Sequence, residues 1–198
     1  MSPSAPESGA RRSGAGLHAD AMATLRTWSP PDAAQAALRD RYVAHLEVHP
    51  DGMTRSCYPD HLTASTLVVS ADGTRALLTL HRKAREWFQF GGHCEVGDDS
   101  LAAAALREAT EESGLARLDL DPVPVQLSEH AVPFCDARGG AHHLDVRFVA
   151  VAAEADDHAV SEESLDVRWW PVDRLPNQAA DMVALAALAR RRLGLPSA

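Results

Sequence analysis

The sequence predicts an α/β or α+β sandwich, in which a mixed β-sheet packs between helices. Two observations predict it: short apolar runs bounded by turn signals recur through the middle of the chain, and helix-period patterns occur at both ends and once between those runs. Hydrophobic residues make up 45% of the 198 positions, which is enough for an ordinary globular core. We therefore expect one globular domain with an appendage.

The chain divides by composition into three parts. Residues 1–27 are rich in serine, alanine, glycine and proline, which is typical of a disordered tail. Residues 28–56 predict a helical extension, and residues 57–198 predict the main domain, which ends in a helix. The sequence leaves open whether the helical extension packs on this domain or forms a homodimer contact.

The helix of the extension has a start, a face and an end that the sequence predicts. Ser29 stands as its N-cap before two prolines. Leu38, Tyr42 and Leu46 recur at four-residue steps and therefore share one face. The turn sequence PDG at 50–52 ends the helix.

Short apolar runs predict the strands of the sheet. They lie at 67–69, 76–80, 85–92, 124–132, 142–153 and 166–176. The turn sequence ADGT separates the first two and predicts a hairpin. In the fifth run, His143, Asp145 and Arg147 alternate with apolar residues, so they share one face of a strand. An amphipathic pattern over 176–194 predicts the C-terminal helix.

A helix predicted over 100–113 carries an unusual group of acidic residues. Gly114 suits the left-handed position that ends a helix. Near that end, Glu108, Glu111 and Glu112 stand at i, i+3 and i+4, so their side chains are neighbours. Like charges at this spacing destabilise a helix by about 0.2–0.5 kcal/mol per pair. A divalent cation such as Mg²⁺ or Mn²⁺, which prefers carboxylate oxygens, accounts for the crowding.

Charge and hydropathy exclude several function classes. With 28 acidic residues against 19 lysines and arginines, the formal net charge of −9 argues against a nucleic-acid partner, which requires a basic patch. It leaves a phosphorylated small molecule open, because a divalent metal supplies positive charge. No apolar run is long enough to span a bilayer, and the three cysteines form no C-x-x-C pair. We therefore expect a cytoplasmic protein that binds neither membranes nor nucleic acid.

The segment GGHCEVGDDSLAAAALREATEESGL, residues 91–115, resembles the signature of the Nudix hydrolases, G-x5-E-x7-R-E-U-x-E-E-x-G-U, where U is a bulky apolar residue. Its second half, from Arg107 onwards, fits position by position, with a small alanine at the first U. Taking Gly92 as the motif glycine requires one inserted residue before Arg107, so the acidic position falls on Asp98 or Asp99. With its flanking strands, the resemblance extends over residues 60–175.

The resemblance implies an α/β/α sandwich and a Mg²⁺- or Mn²⁺-dependent hydrolase. Its expected substrate is a small molecule with a diphosphate (pyrophosphate) linkage, such as a nucleoside diphosphate derivative, which water attacks at phosphorus. By motif position, the metal ligands would be Glu108, Glu111, Glu112 and the backbone carbonyl of Gly92. Arg107 would hold the carboxylates in place by bidentate hydrogen bonds.

The general base is left open by the resemblance. Glu112 is one candidate, as base rather than ligand. The family often adds an acidic residue from a distant loop, and the segment SEESLDVRWW offers Glu162 and Glu163. Of these two we select Glu163 as the base or an additional metal ligand.

Two groups of polar residues outside the helix have alternative interpretations. His143, Asp145 and Arg147 either contact substrate, with Arg147 binding phosphate, or form a surface salt bridge. His143 also belongs with His130, Cys135 and His142 to a set of potential soft-metal ligands. Their spacing matches no zinc pattern, so solvated loop histidines are the preferred interpretation.

Three alternatives to the hydrolase remain at this point. One is a Nudix-fold module that binds a nucleotide-like ligand without cleaving it. Another is the isopentenyl diphosphate isomerase branch of the fold, which uses a cysteine where this chain has Gly91. The third is a carboxylate helix with a purely structural role, for which metal would not change thermal stability.

Overall fold

The computed structural model of the chain describes residues 8–133, 135–153, 159 and 164–195, with side chains from residue 16 onwards. This part contains four helices and seven strands. In chain order they are α1 Ser8–Thr27, α2 Ala33–Val48, β1 Asp60–Ser70, β2 Arg75–His81, β3 Trp87–Phe88, β4 Phe90–His93, α3 Leu101–Ser113, β5 Leu118–Ala131, β6 His142–Ala152, β7 Ser164–Pro171 and α4 Ala180–Arg192.

The seven strands form one mixed sheet, as the sequence predicts. The order along its main path is β3-β2-β1-β6-β5, with β4 paired to β1 and β7 paired to β2. Strands β1 and β6 run parallel over their whole length, whereas β1 pairs antiparallel with both β2 and β4. The predicted hairpin is confirmed, because Val69 of β1 pairs with Ala76 of β2 across the ADGT turn.

Helices cover both faces of this sheet, which confirms the α/β/α sandwich. Successive side chains of a strand point to opposite faces. On β1, Leu62 and Ala64 pack in a core with residues of α1, α2 and α3. Leu67 and Val69 pack in a second core with residues of α4. None of the helices in the described part of the chain combines the length and apolar character that a membrane crossing requires.

Helix α1 occupies most of the region that composition predicts to be a disordered tail, so that prediction is wrong for residues 8–27. Leu17, Ala21 and Leu25 recur at four-residue steps, and all three are buried in the core that α1 shares with the sheet. Composition alone does not reveal this apolar face, because serine, glycine and alanine residues surround it in the sequence. Burial of the face against the domain stabilises the helix.

Helix α2 begins three residues later than the sequence predicts. Its N-cap is Asp32, whose carboxylate accepts a hydrogen bond of 2.9 Å from the backbone N–H of Gln35. Ser29 does not fill this role because Pro31 disfavours helical backbone at Pro30, so no helical turn starts directly after Ser29. The helix starts only after the prolines, where a side chain can reach the free N–H groups of the first turn.

The extension packs on the domain through polar as well as apolar contacts. Gln35 of α2 exchanges two hydrogen bonds with the backbone of Leu127 in β5, at 3.0 and 2.6 Å. Arg41 of α2 pairs with Glu129 of β5 and with Asp60 of β1. The two N-terminal helices therefore form a helical extension that shares a core with the sheet.

Candidate functional site

Helix α3 has the start and the end that its sequence predicts. The Ser100 hydroxyl caps it by accepting a hydrogen bond of 3.0 Å from the N–H of Ala103. At the other end, Gly114 adopts the left-handed conformation with φ of 71° and donates its N–H to the carbonyl of Thr110. The glutamates near this end consequently have a rigid helical backbone.

Strand β4 brings the glycine pair beside the glutamates of α3. A Cβ atom on Gly92 would lie 2.8 Å from the carboxyl carbon of Glu108, closer than side chains normally approach. Glycine therefore leaves the space into which this carboxylate fits. The N–H of Gly91 donates a hydrogen bond of 3.1 Å to Oε2 of Glu112. Two of the predicted metal ligands thus lie directly against the backbone of the glycine pair.

Arg107 is the centre of the charged network on this helix. Its Nη1 donates to Oε1 of Glu108 at 3.0 Å and to Oε2 of Glu111 at 3.2 Å. Its Nη2 donates to the carbonyl of His93 at 3.0 Å. The hydrogen bonds that Arg107 donates to Asp98, with the negative charges of Glu108 and Asp98, raise the pKa of Arg107 above its ordinary value. One guanidinium therefore connects two glutamates of α3 to the end of β4.

The structure decides between the two aspartates that precede α3. Asp98 is 7% exposed, and both of its carboxylate oxygens accept hydrogen bonds of 3.1 Å from Arg107. Asp98 also accepts a hydrogen bond of 2.7 Å from the N–H of Glu95. Asp99 is exposed. Asp98 therefore occupies the acidic position of the motif, and the extra residue lies after it.

A cavity of about 370 Å³ lies beside the glycine pair and Glu112. Its lining also includes His143, Asp145 and Arg147, the three residues that the sequence predicts on one face of a strand. They belong to β6, which runs beside β1, while β1 also pairs with β4. The sheet topology therefore brings the three strand candidates to the same cavity as Glu112, whereas Arg107, Glu108 and Glu111 do not line it.

Asp145 and Arg147 form a buried ion pair, so the alternative of a surface salt bridge is wrong. Their exposed fractions are 2% and 3%, and Nε of Arg147 donates to Oδ2 of Asp145 at 3.0 Å. The other two nitrogens of Arg147 donate to Gln126 and Asp181. Burial alone would raise the pKa of Asp145. The charge of Arg147 and hydrogen bonds, including one from Ser65, lower this pKa by more, so the net shift is downward.

The soft-metal ligands that the sequence separates are partly brought together. Nitrogen atoms of His61, His93 and His143 and the sulfur of Cys135 all lie within 4.8 Å of one another. The interpretation of His143 as a solvated loop histidine is therefore wrong. Strand register explains the error, because His143 pairs with His61 across parallel strands and only the tertiary structure brings them together. We call these four residues the histidine–cysteine cluster.

The two remaining residues of the predicted soft-metal set lie next to this cluster without joining it. The His130 ring is 5.5 Å from that of His143, edge to face. The Nδ1 atom of His142 lies 3.2 Å from Oδ1 of Asp60 instead. Burial lowers the pKa of His130.

Glu162 and Glu163 both lie outside the described residues, so the role selected for Glu163 stays a prediction.

Sequence reasoning also missed polar residues that hold Asp145 in place. Its carboxylate accepts hydrogen bonds from Ser65 at 2.7 Å and from Thr63 at 3.1 Å. Their alternation along β1 is the only sequence signal that points to them.

Known proteins resemble this chain in sequence pattern and in fold. The family model described as NUDIX domain matches residues 59–190. No curated protein matches the sequence. A hydrolase of the NUDIX family from Clostridium perfringens is 22% identical, with a TM-score of 0.53 over 67% of this chain and 97% of that chain.

Two further solved structures share the fold. The C. elegans Ap4A hydrolase in a binary complex is 21% identical, with a TM-score of 0.54 over 67% of this chain and 97% of that chain. The E. coli dihydroneopterin triphosphate pyrophosphohydrolase is 17% identical, with a TM-score of 0.53 over 66% of this chain and 95% of that chain. With the family model covering well over half of the sequence, the chain belongs to the Nudix family.

Proposed function

We propose that the protein hydrolyses a diphosphate linkage in a nucleoside-diphosphate-like small molecule, with Mg²⁺ or Mn²⁺ as cofactor. One observation carries the proposal: Glu108 and Glu112 lie against the glycine pair, and this pair and Glu112 line a cavity together with Asp145 and Arg147. Two proteins of the same fold are named for Ap4A and for dihydroneopterin triphosphate, both of which contain linked phosphates. Their names support the class of substrate and leave its identity open.

The candidate ligand atoms on α3 and β4 are oxygens, the type that a hard divalent cation prefers. Carboxylate oxygens of Glu108, Glu111 and Glu112, with the carbonyl oxygen of Gly92, would bind it. The space that Gly92 leaves for the Glu108 carboxylate supports this assignment. When bound, the cation would neutralise charge on the phosphate oxygens and make water a better nucleophile at neutral pH.

The charged network prepares the carboxylates for this task. Arg107 contacts Glu108 and Glu111 and so fixes them relative to Gly92. We assign it a positioning role, because its remaining donors go to Asp98 and His93. Glu112 accepts a hydrogen bond from the N–H of Gly91 and lines the cavity. Among the described residues it is our candidate for the general base, and otherwise it is a metal ligand. Glu163 remains the second candidate for the base.

The cavity wall would contact the substrate. His143, Asp145 and Arg147 are our candidates for that contact because all three line the cavity. Every donor nitrogen of Arg147 is already used by a protein acceptor. A phosphate would reach Arg147 through the N–H groups of Nη1 and Nη2 that these three bonds leave, or by replacing Asp181, which is the half-exposed partner.

Two of the alternatives lose their support. The binding-module alternative gains no support from the extra residue in the acidic loop, because Asp98 still reaches Arg107 and the motif contacts are intact. The isomerase alternative needs a cysteine at position 91. A Cβ atom there would lie 2.3 Å from Cβ of Ser65 and 2.6 Å from its Cα, so a cysteine does not fit without movement of β1.

The test is turnover by purified full-length protein of a panel of dinucleotides, nucleoside diphosphate sugars and nucleoside triphosphates. Each is incubated with Mg²⁺, with Mn²⁺ and with chelator, while phosphate or pyrophosphate release is measured. We expect metal-dependent release that falls by about 10²- to 10⁴-fold in Glu112→Gln. Asp99→Asn, an exposed acid of the same segment, is the matched control and should keep full activity.

Two results would contradict the proposal. One is release that is equal in the wild type and in Glu112→Gln. The other is the absence of release from every compound while one of them raises the melting temperature of both proteins, which would indicate a binding module.

A further inference from the structure

The histidine–cysteine cluster has the dimensions of a metal site. The Nε2 atoms of His61 and His93 are 3.1 Å apart, and the sulfur of Cys135 lies 3.8 Å from the first and 3.4 Å from the second. With metal–nitrogen bonds of about 2.05 Å and metal–sulfur bonds of about 2.3 Å, tetrahedral Zn²⁺ requires about 3.3 Å between nitrogens and about 3.6 Å between nitrogen and sulfur. The observed distances differ from these values by a few tenths of an ångström.

One imidazole presents a lone pair that a metal would use, and another has a buried nitrogen without a partner. Nδ1 of His61 lies 3.2 Å from the carbonyl oxygen of Cys57, to which it donates its proton, so Nε2 carries the lone pair. A backbone carbonyl on the second ring nitrogen is the usual support of a metal-bound histidine. Nε2 of His143 is buried and has no hydrogen-bond partner. A bound cation would satisfy this atom, which otherwise carries the cost of desolvation.

His61 is buried and the rings of His93 and His143 are partly buried, which favours the neutral imidazole that a metal ligand requires. A cluster of hydrogen-bonded histidines without a metal would leave His143 unsatisfied, whereas a metal would use all three rings.

The sheet supplies three of the ligands from a rigid frame. His61 on β1 pairs with His143 on β6, and His93 ends β4 beside the same part of β1. The fourth ligand, Cys135, comes from the connection between β5 and β6. Its carbonyl accepts a hydrogen bond of 3.0 Å from Arg55, so a contact outside the cluster also holds this part of the connection.

We propose that His61, His93, Cys135 and His143 bind one Zn²⁺ ion, which ties the β5–β6 connection to the ends of β1, β4 and β6. Three imidazoles and a thiolate suit zinc rather than the hard cation expected at the glutamates. Four protein ligands fill a tetrahedral shell, so the ion has a structural role. This ion is separate from the carboxylate site on α3. His93 contacts both sites, because its ring lies against Cys135 and its carbonyl oxygen accepts a hydrogen bond from Arg107.

The experiment measures zinc in the full-length protein after incubation with Zn²⁺ and dialysis against metal-free buffer. We expect one equivalent per chain in the wild type, and less than a tenth of that in Cys135→Ser and in His143→Ala. Zn²⁺ should raise the melting temperature of the wild type and leave that of Cys135→Ser unchanged. Cobalt-loaded wild type should show thiolate charge-transfer absorption and the visible bands of a tetrahedral centre.

Two control variants separate this site from its neighbours. Cys57→Ala removes the thiol of a second group of potential ligands, with His49 and Asp51, and should keep one equivalent of zinc. His142→Asn removes the histidine next to His143 that pairs with Asp60, and it should also keep the metal.

Three results would overturn the proposal. The first is a wild type that holds no zinc after dialysis. The second is zinc that remains in Cys135→Ser and His143→Ala but is lost from Glu108→Gln, which would place the ion on α3. The third applies if the cluster variants do not fold: cobalt bound to the wild type without thiolate absorption would exclude Cys135 as a ligand.

Discussion

Asp98 and Arg107 form a bidentate ion pair between the loop before α3 and the middle of that helix, with both contacts at 3.1 Å. The pair matters because Arg107 also contacts Glu108 and Glu111. Asp98 thereby fixes the arginine that orders the candidate metal ligands. A loop with one residue more than the family motif still supplies this contact.

Replacing Asp98 should therefore lower the stability of the protein. We expect Asp98→Ala to lower the free energy of unfolding by about 1–3 kcal/mol, because a buried acceptor of two charged hydrogen bonds is lost while Arg107 keeps its other partners. Denaturant unfolding measures the change. Asp99→Ala, at an exposed position, should stay within about 0.5 kcal/mol of the wild type. Equal effects of the two substitutions would contradict the assignment.

Gly92→Ala should separate activity from stability. The new Cβ atom would meet the end of the Glu108 side chain, which can move away, so the free energy of unfolding should change by less than about 1 kcal/mol. The displaced carboxylate should lower metal-dependent turnover by at least about tenfold, because small errors of position are costly in catalysis. Gly16→Ala, at a position with open space, is the control. Full activity of Gly92→Ala would argue against the proposed site.

Arg147→Met should be strongly destabilising. It leaves the buried Asp145 carboxylate without its cation, and loss of one partner of a buried pair costs about 3–5 kcal/mol. Thermal and denaturant unfolding measure the loss. The double variant Arg147→Met with Asp145→Asn should recover part of it, because the uncompensated charge is removed. A single variant as stable as the wild type would show that the Asp145 carboxylate does not depend on the positive charge of Arg147.

The pair between Arg41 and Glu129 should make stability depend on pH. A hydrogen bond from Arg41 lowers the pKa of Glu129 in the folded protein, and that of Asp60 is also lowered. These carboxylates therefore stabilise the fold above their unfolded pKa values of about 4, and the contribution is lost as the pH falls through the lower folded values. Arg41→Gln should lower the melting temperature at pH 7 and approach the wild type at pH 3.

The size of this effect should be modest. Arg41 is 39% exposed and Glu129 is 29% exposed, so solvent screening limits the contribution to less than about 1 kcal/mol. Arg39→Gln is the control, because Arg39 pairs with Asp40 on α2 itself. A difference between Arg41→Gln and the wild type that grows towards acid pH would refute the prediction.

Local patterns were enough for the parts of the fold that depend on residues a few positions apart. The start and end of α3 follow from Ser100 and Gly114, and the β1–β2 hairpin follows from its turn sequence. The carboxylate group was visible for the same reason, since neighbours on a helix are three and four residues apart. The disordered tail was predicted wrongly because the face of α1 is stabilised by the domain on which it packs.

The sequence by itself determined the fold class, the glutamate helix and the resemblance to the family. Only the tertiary structure decided that Asp98 rather than Asp99 reaches Arg107, that Asp145 and Arg147 are buried, and that three histidines meet a cysteine. These relationships join residues from different strands and loops. They depend on strand register, where a shift of one residue would turn His143 to the other face of the sheet. No spacing within a single segment records that register.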